Sequence, residues 1–173
     1  MSEAALVVVI VTHRGGPLLA RCLEALAAQT QAPAAIRVVV SNARPVPVPP
    51  GVSVTALGAN LGFAKAANAG LRAEAGHAIV LLNDDTTPEA GFLAALAAAY
   101  QRDGPGIYQP HILLADRPDH LDNTGHRLFP DGFNLARSRG RPDQPAPLGD
   151  VGAFSGAAVL LSPEVVASVG IFD

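Results

Sequence analysis

Apolar residues along this chain fall into short runs separated by helical stripes. Leu6 to Val11 is β-branched and apolar throughout, which predicts a strand covered on both faces, as in parallel sheets. Pro17 opens a helix to about Gln29, in which Leu19, Cys22, Leu23 and Leu26 recur at helical spacing. Arg37 to Val40 predicts a second strand and Val52 to Leu57 a third. Between them lies Arg44 to Gly51, which holds four prolines and reads as a stiff extended connection. Phe63 to Ala75 predicts an Ala-rich second helix, and His77 to Leu82 a further buried strand. Thr87, Pro88 and Glu89 carry a helix-start signature, so a third helix is expected from Pro88 to about Tyr100. Strands alternating with helices imply an α/β fold with a mostly parallel sheet and right-handed crossovers.

The second half is less regular. Ile107 to Leu114 predicts a strand, and Leu128 to Phe133 a hairpin around Pro130-Asp131-Gly132. Ala115 to Asp150, rich in Pro, Gly, Asp and Arg, reads as an irregular insertion and is expected to be mobile without ligand. Val151 to Leu161 returns to strand character, and Ser162-Pro163-Glu164 caps a short helix to Val169. No repeat and no domain boundary is evident, so residues 1–173 are read as one domain.

Composition narrows the class. With 173 residues and 49% hydrophobic content the chain can bury a real core. A net charge of -3 gives no nucleic-acid footprint, although Arg37, Arg44 and Arg72 are spread through the first half. One cysteine, Cys22, excludes a disulfide framework and fits a reducing compartment. The run from Ala4 to Val11 is too short to span a bilayer, and Glu3 rather than a basic segment precedes it. These features predict a soluble, cytoplasmic chain.

Candidate chemistry concentrates at predicted strand ends, where open α/β sheets bind ligands. Foremost is L-L-N-D-D-T-T-P, Leu81 to Pro88, with Asn83-Asp84-Asp85 where the strand emerges. Adjacent carboxylates repel, and a hard divalent cation that also holds phosphate oxygens relieves that repulsion. Thr12-His13 and Ser41-Asn42 end the first two strands. Asn60-Leu61-Gly62 follows the third, where Gly62 permits a tight turn and the helix N-terminus favours phosphate. Asn68 is costly inside a helix and is expected to make a specific hydrogen bond, to ligand or to backbone. Lys65 reads as a solvated surface lysine. The histidines and acids His111, Asp116, Asp119, His120, Asp122 and His126 match no metal-ligand pattern.

Taken in order, these segments resemble family 2 inverting glycosyltransferases of the GT-A fold, in particular the rhamnosyltransferase-like branch. The likeness rests on V-V-V-I-V-T-H-R-G-G (Val7 to Gly16), V-V-V-S-N-A (Val38 to Ala43), N-L-G-F-A-K-A-A-N-A-G (Asn60 to Gly70) and I-V-L-L-N-D-D-T (Ile79 to Thr86). L-D-N-T-G (Leu121 to Gly125), F-S-G-A-A-V-L-L (Phe154 to Leu161) and a terminal V-G-I-F-D agree with it.

The resemblance implies a Rossmann-like domain that transfers sugar from a UDP- or dTDP-sugar to a glycan or lipid-linked acceptor. It implies nucleotide contacts from Thr12, His13, Ser41, Asn42, Asn60, Gly62, Asn68, Asn83 and Asp84. Asp85 would ligate a divalent cation, Mg or Mn, since the family's Asp-x-Asp reads Asn83-Asp84-Asp85 here. Ser41 stands where the family usually has Asp. The acidic motif that carries the family's catalytic base lies beyond the segment matching Val169 to Asp173, so the catalytic residue is unassigned. The chain looks like the front, donor-binding portion of such a domain, truncated before the base. Work at the inner face of the membrane, with peripheral contact, would follow from a lipid-linked acceptor. The alternative is a module that binds a nucleotide sugar without turnover. A dinucleotide-binding oxidoreductase is disfavoured because no G-x-G-x-x-G follows the first strand.

Overall fold

The computed structural model describes residues 5–144 and 149–173. Its centre is a six-stranded sheet in the order β3-β2-β1-β4-β10-β5. These strands are β1 (Leu6–Thr12), β2 (Ala35–Val40), β3 (Val52–Ala56), β4 (Ala78–Asn83), β5 (Ile107–Tyr108) and β10 (Ala158–Leu161). β1 pairs in parallel with both β2 and β4, and β2 pairs in parallel with β3. β10 runs antiparallel to β4 and to β5, so the sheet is mostly rather than wholly parallel.

The apolar runs of β1, β4 and β10 are buried because helices cover both faces. On one face Val8, Ile10, Val38, Val80, Leu82 and Leu160 meet Leu19, Cys22, Leu23 and Leu26 of α1 (Pro17–Ala27) and Leu93 and Leu96 of α3 (Phe92–Asp103). The connection between β2 and β3 contributes Val46 and Val48 to this layer. On the other face Val9, Val11, Val39, Ile79, Leu81 and Val159 meet Ala66, Ala67 and Leu71 of α2 (Phe63–Ala73). The Ala-rich face of α2 lets it approach the sheet closely. A Cβ on Gly70 would overlap a Val9 methyl and come within 3.2 Å of a Val39 methyl. Arg37 of β2 donates to Glu74 at 2.6 Å and to Thr55 at 3.1 Å, so it fastens β2 to the end of α2.

Four expectations are corrected. α3 starts at Phe92, not Pro88, with Gly91 in the cap position. The carbonyls of Glu89 and Ala90 accept from Gln29 Nε2 (2.7 Å) and from Thr30 N (2.8 Å). Gln29 Oε1 in turn accepts from Leu93 N at 3.0 Å, so a side chain from the loop after α1 caps the helix. The single strand expected over Ile107 to Leu114 is two, β5 and β6 (Ile112–Leu114), because Pro110 cannot donate to a ladder. Of Val151 to Leu161 only β10 is strand. The insertion is not shapeless. β6 pairs with β7 (Arg117–Asn123) through two register shifts, and β8 (His126–Leu128) pairs with β9 (Asn134–Ala136) in the expected hairpin. Residues 145–148 of that insertion lie outside the described residues. The short helix α4 (Pro163–Val169) forms as expected, with Ser162 Oγ accepting from Val165 N at 3.4 Å.

Candidate functional site

Parallel strands that start together also end together, so the loops after β1, β2, β3 and β4 meet at one edge of the sheet. There Val11, Thr12, His13, Ser41, Asn60, Gly62, Phe63, Asn83, Asp84 and Asp85 line a cleft of about 210 Å³. A larger groove of about 420 Å³, lined by Leu71, His77, Ile79, Pro163 and Val166 among others, is almost wholly apolar and includes none of these loops.

Thr12 organises the floor. Fully buried, its hydroxyl accepts from Gly15 N at 2.8 Å and donates to Asp84 Oδ2. One Asp84 oxygen is thereby held, and the carboxylate is fixed against the end of β1. Gly15 is needed at the next turn, because it has φ +63° and an added Cβ would come within 2.6 Å of Val46. Asp85 is exposed and makes no hydrogen bond or ion pair among the described residues. Thr86 closes the turn with its hydroxyl on Asn83 O at 2.8 Å.

The second wall is tied to Ser41, also buried. Its Oγ accepts from Leu61 N at 3.0 Å and donates to Asn60 Oδ1 at 3.5 Å, while Asn60 Oδ1 accepts from Gly62 N at 3.1 Å. His13 Nδ1 lies 2.8 Å from Ser41 O. A carbonyl only accepts, so Nδ1 carries the proton, and in the neutral ring Nε2 is a free acceptor. Gly62, with φ +80°, starts α2 toward the cleft.

Two sequence-predicted residues also bond to backbone within the fold. Asn42 Nδ2 donates to His13 O at 2.6 Å, and its Oδ1 accepts from Arg44 N at 2.9 Å. Both ends of that amide serve the turn, and each keeps one further N–H or lone pair. Asn68, buried in α2, donates to Phe172 O at 2.6 Å and accepts from Phe172 N at 3.0 Å. The specific bond expected of Asn68 is therefore to backbone. Through it Phe172 meets Phe63 and Phe154 edge-on, at ring separations of 6.1 and 6.2 Å. Phe63 lines the cleft and no sequence signal singled it out. Lys65 is exposed, as expected.

Asn68→Ala should thus lower stability by about 1–3 kcal/mol, since it strands the N–H and C=O of Phe172. A melting experiment without ligand checks this, whereas a ligand-only role would leave the melting temperature unchanged.

Cys22 lies behind the acidic turn, 4.0 Å from Asn83 O and 3.8 Å from the Thr86 hydroxyl. Burial pushes its thiol up from 9.0 to about 11, the Thr86 hydrogen bond acts the other way, and Asp84 and Asp85 add to the rise. A pKa raised on folding gives stability that is present below about pH 9 and lost as pH rises through about 11. Iodoacetamide should therefore leave the native thiol unmodified at pH 8 and alkylate it in denaturant. Mass spectrometry of both samples checks this, alongside melting curves through the alkaline range.

Among the described residues there is no group of three or more His, Cys, Asp or Glu side chains that could hold a metal ion alone. A cation bound through one or two carboxylates, with substrate phosphates and waters completing its shell, asks for no such cluster. The free Asp85 carboxylate and the tethered Asp84 fit that kind of site.

The model of the family described as "Glycosyl transferase family 2" matches residues 7–161. No curated protein sequence matches the chain. Among solved structures, mannosyltransferase PcManGT from Pyrobaculum calidifontis, in complex with GDP-Man and Mn2+, is similar with a TM-score of 0.64 at 15% identity. That match covers 100% of this chain and 48% of the other. S. aureus TarS gives a TM-score of 0.48 at 17% identity, covering 65% of this chain and 26% of TarS. The chain thus spans about half the length of the first structure and about a quarter of the second. At such identities the likeness to PcManGT carries the fold alone.

Proposed function

We propose, for a chain that belongs to glycosyl transferase family 2 and has a GT-A-type α/β fold, that the strand-end cleft binds the nucleoside diphosphate of a nucleotide sugar. The observation that carries this reading is the convergence of Thr12, His13, Ser41, Asn60, Gly62, Asn83, Asp84 and Asp85 on one cleft. Asp85, with Asp84 beside it, would hold a divalent cation, Mg or Mn. When bound, that cation neutralises charge developing on the departing diphosphate. The N-terminus of α2 at Gly62 faces the same charge. Asn83 offers an amide to a ribose hydroxyl, and His13 Nε2 an acceptor to a base N–H or sugar hydroxyl. Thr12 and Ser41 act behind these groups by fixing Asp84 and the Asn60 to Gly62 turn. Asn42 and Asn68 enter this reading as positioning residues.

The finer reading is inverting transfer of a hexosyl or deoxyhexosyl group, in the rhamnosyltransferase-like manner, from a UDP- or dTDP-sugar. The acceptor would be a glycan or a lipid-linked precursor of cell-wall or other polysaccharide, met in the cytoplasm or at the inner face of the membrane. No helix among the described residues is long and apolar enough to cross a membrane.

A second reading, binding without turnover, is favoured by one observation. With Asp84 and Asp85 at the cation, His13 is the one titratable side chain lining the cleft, among the described residues, that is left to serve as a base, and its ring is already held by Ser41 O. A nucleotide-release assay over UDP-, dTDP- and GDP-sugars separates the two. Release that rises with added acceptor supports transfer, binding with no release supports the module, and neither binding nor release contradicts both.

A further inference from the structure

The hairpin β8–β9 belongs to no part of the central sheet. Arg127 pairs with Leu135 across it, and Leu128 with Asn134. Alternation along each strand then sorts its side chains. Arg127, Phe129, Phe133, Leu135 and Arg137 share one face, while His126, Leu128, Asn134 and Ala136 share the other. The second face is engaged in part, although Leu128 on it is 54% exposed. His126 Nδ1 meets Asn134 Oδ1 at 2.6 Å, His126 bridges to Ala153, and a Cβ built on Gly152 would lie 3.7 Å from Leu128 Cγ.

The first face is open along its apolar residues, while Arg137 at its end donates from Nη1 to Asp150 O at 3.1 Å. Phe133 is 58% exposed, Leu135 50% and Phe129 36%, with the two rings 5.9 Å apart. Large apolar side chains clustered on a ribbon outside the central sheet expose area that folding alone would hide. The segment itself is basic: residues 127–141 hold four arginines against one aspartate, on a chain whose net charge is -3. Arg139 pairs with Asp122, whereas Arg127, Arg137 and Arg141 form no ion pair among the described residues.

We propose that this face docks on an anionic lipid surface. The aromatic rings and Leu135 would sit at headgroup level while the arginines meet lipid phosphates. Charge complementarity selects this occupant. Guanidinium groups beside aromatic rings match an interface that is apolar on one side and anionic on the other. Asp131, whose Oδ1 accepts from Phe133 N at 3.0 Å in the turn, limits the depth to the interface rather than the hydrocarbon.

The test is co-sedimentation of the intact chain with phosphatidylcholine vesicles, with and without phosphatidylglycerol, at rising salt. Binding is expected only to the anionic vesicles and should weaken as salt rises. Phe133→Ser should lower the partition coefficient about tenfold or more, and Arg127→Gln about fivefold. Both side chains are exposed, so melting temperatures should hold. Equal binding to neutral vesicles, no binding to either, or retention of full binding by Phe133→Ser would overturn the proposal. So would a self-associating chain that Phe133→Ser turns into a monomer without vesicle binding, since the face would then join two copies. No nucleotide enters the assay, so its failure leaves the strand-end cleft reading untouched.

Discussion

Asp85→Asn should reduce the affinity for UDP or dTDP in the presence of manganese by roughly one to two orders of magnitude, the worth of a charge-assisted contact. Affinity measured with chelator should be unchanged. The substitution keeps the shape of the side chain and removes the hard anionic oxygen that a divalent cation needs. Asp85 is exposed and holds no other element in place, so its loss has no route to the core. Removing its repulsion with Asp84 should leave the melting temperature equal or slightly higher. Calorimetric titration with and without metal, paired with melting curves, checks both halves. A large drop in melting temperature without ligand would make Asp85 a structural residue instead.

Thr12→Val should act on fold and site together. Valine matches threonine in shape but lacks the hydroxyl that accepts from Gly15 N and donates to Asp84. A stranded buried N–H costs about 1–3 kcal/mol. Asp84 would lose the partner that orients it, and partners behind a ligand typically contribute about 10- to 100-fold in metal affinity. Thr12→Ser keeps the hydroxyl and should restore most of both. Equal metal-dependent binding by Thr12→Val and the parent chain would show that Asp84 needs no such tether.

Much of this architecture is legible in the sequence because its signal is local. β1, β2, β4 and α1 are marked by unbroken apolar runs or by a clear helical stripe, and such patterns survive whatever lies around them. The strand-end rule then brings Thr12, Ser41, Asn60 and Asp85 to one edge without any knowledge of side-chain contacts. What escapes is decided by partners distant in the chain. Thr87-Pro88-Glu89 has the composition of a helix start, yet Gln29 and Thr30 take the carbonyls that follow and move the start to Phe92. β7 reads R-P-D-H-L-D-N, with no strand periodicity, and exists because β6 lies beside it. Asn42 and Asn68 look like ligand groups in sequence, since an amide names no partner. Only the fold shows that they bond Arg44, His13 and Phe172. Phe63 escapes for a related reason: an aromatic at a helix start carries no chemical mark of facing a cleft.

The central claim is that a nucleoside diphosphate and its cation sit together at the carboxyl edge of β1, β2 and β4. Paramagnetic broadening of backbone amide signals by manganese tests it most directly, with and without UDP. Added together, UDP and substoichiometric manganese should selectively erase the signals of residues 12–13, 60–63 and 83–86. Those of the hairpin 126–136 should be spared, and Asp85→Asn should abolish the effect. Broadening centred on Asp116, Asp119 and Asp122, or none that depends on UDP, would contradict the account.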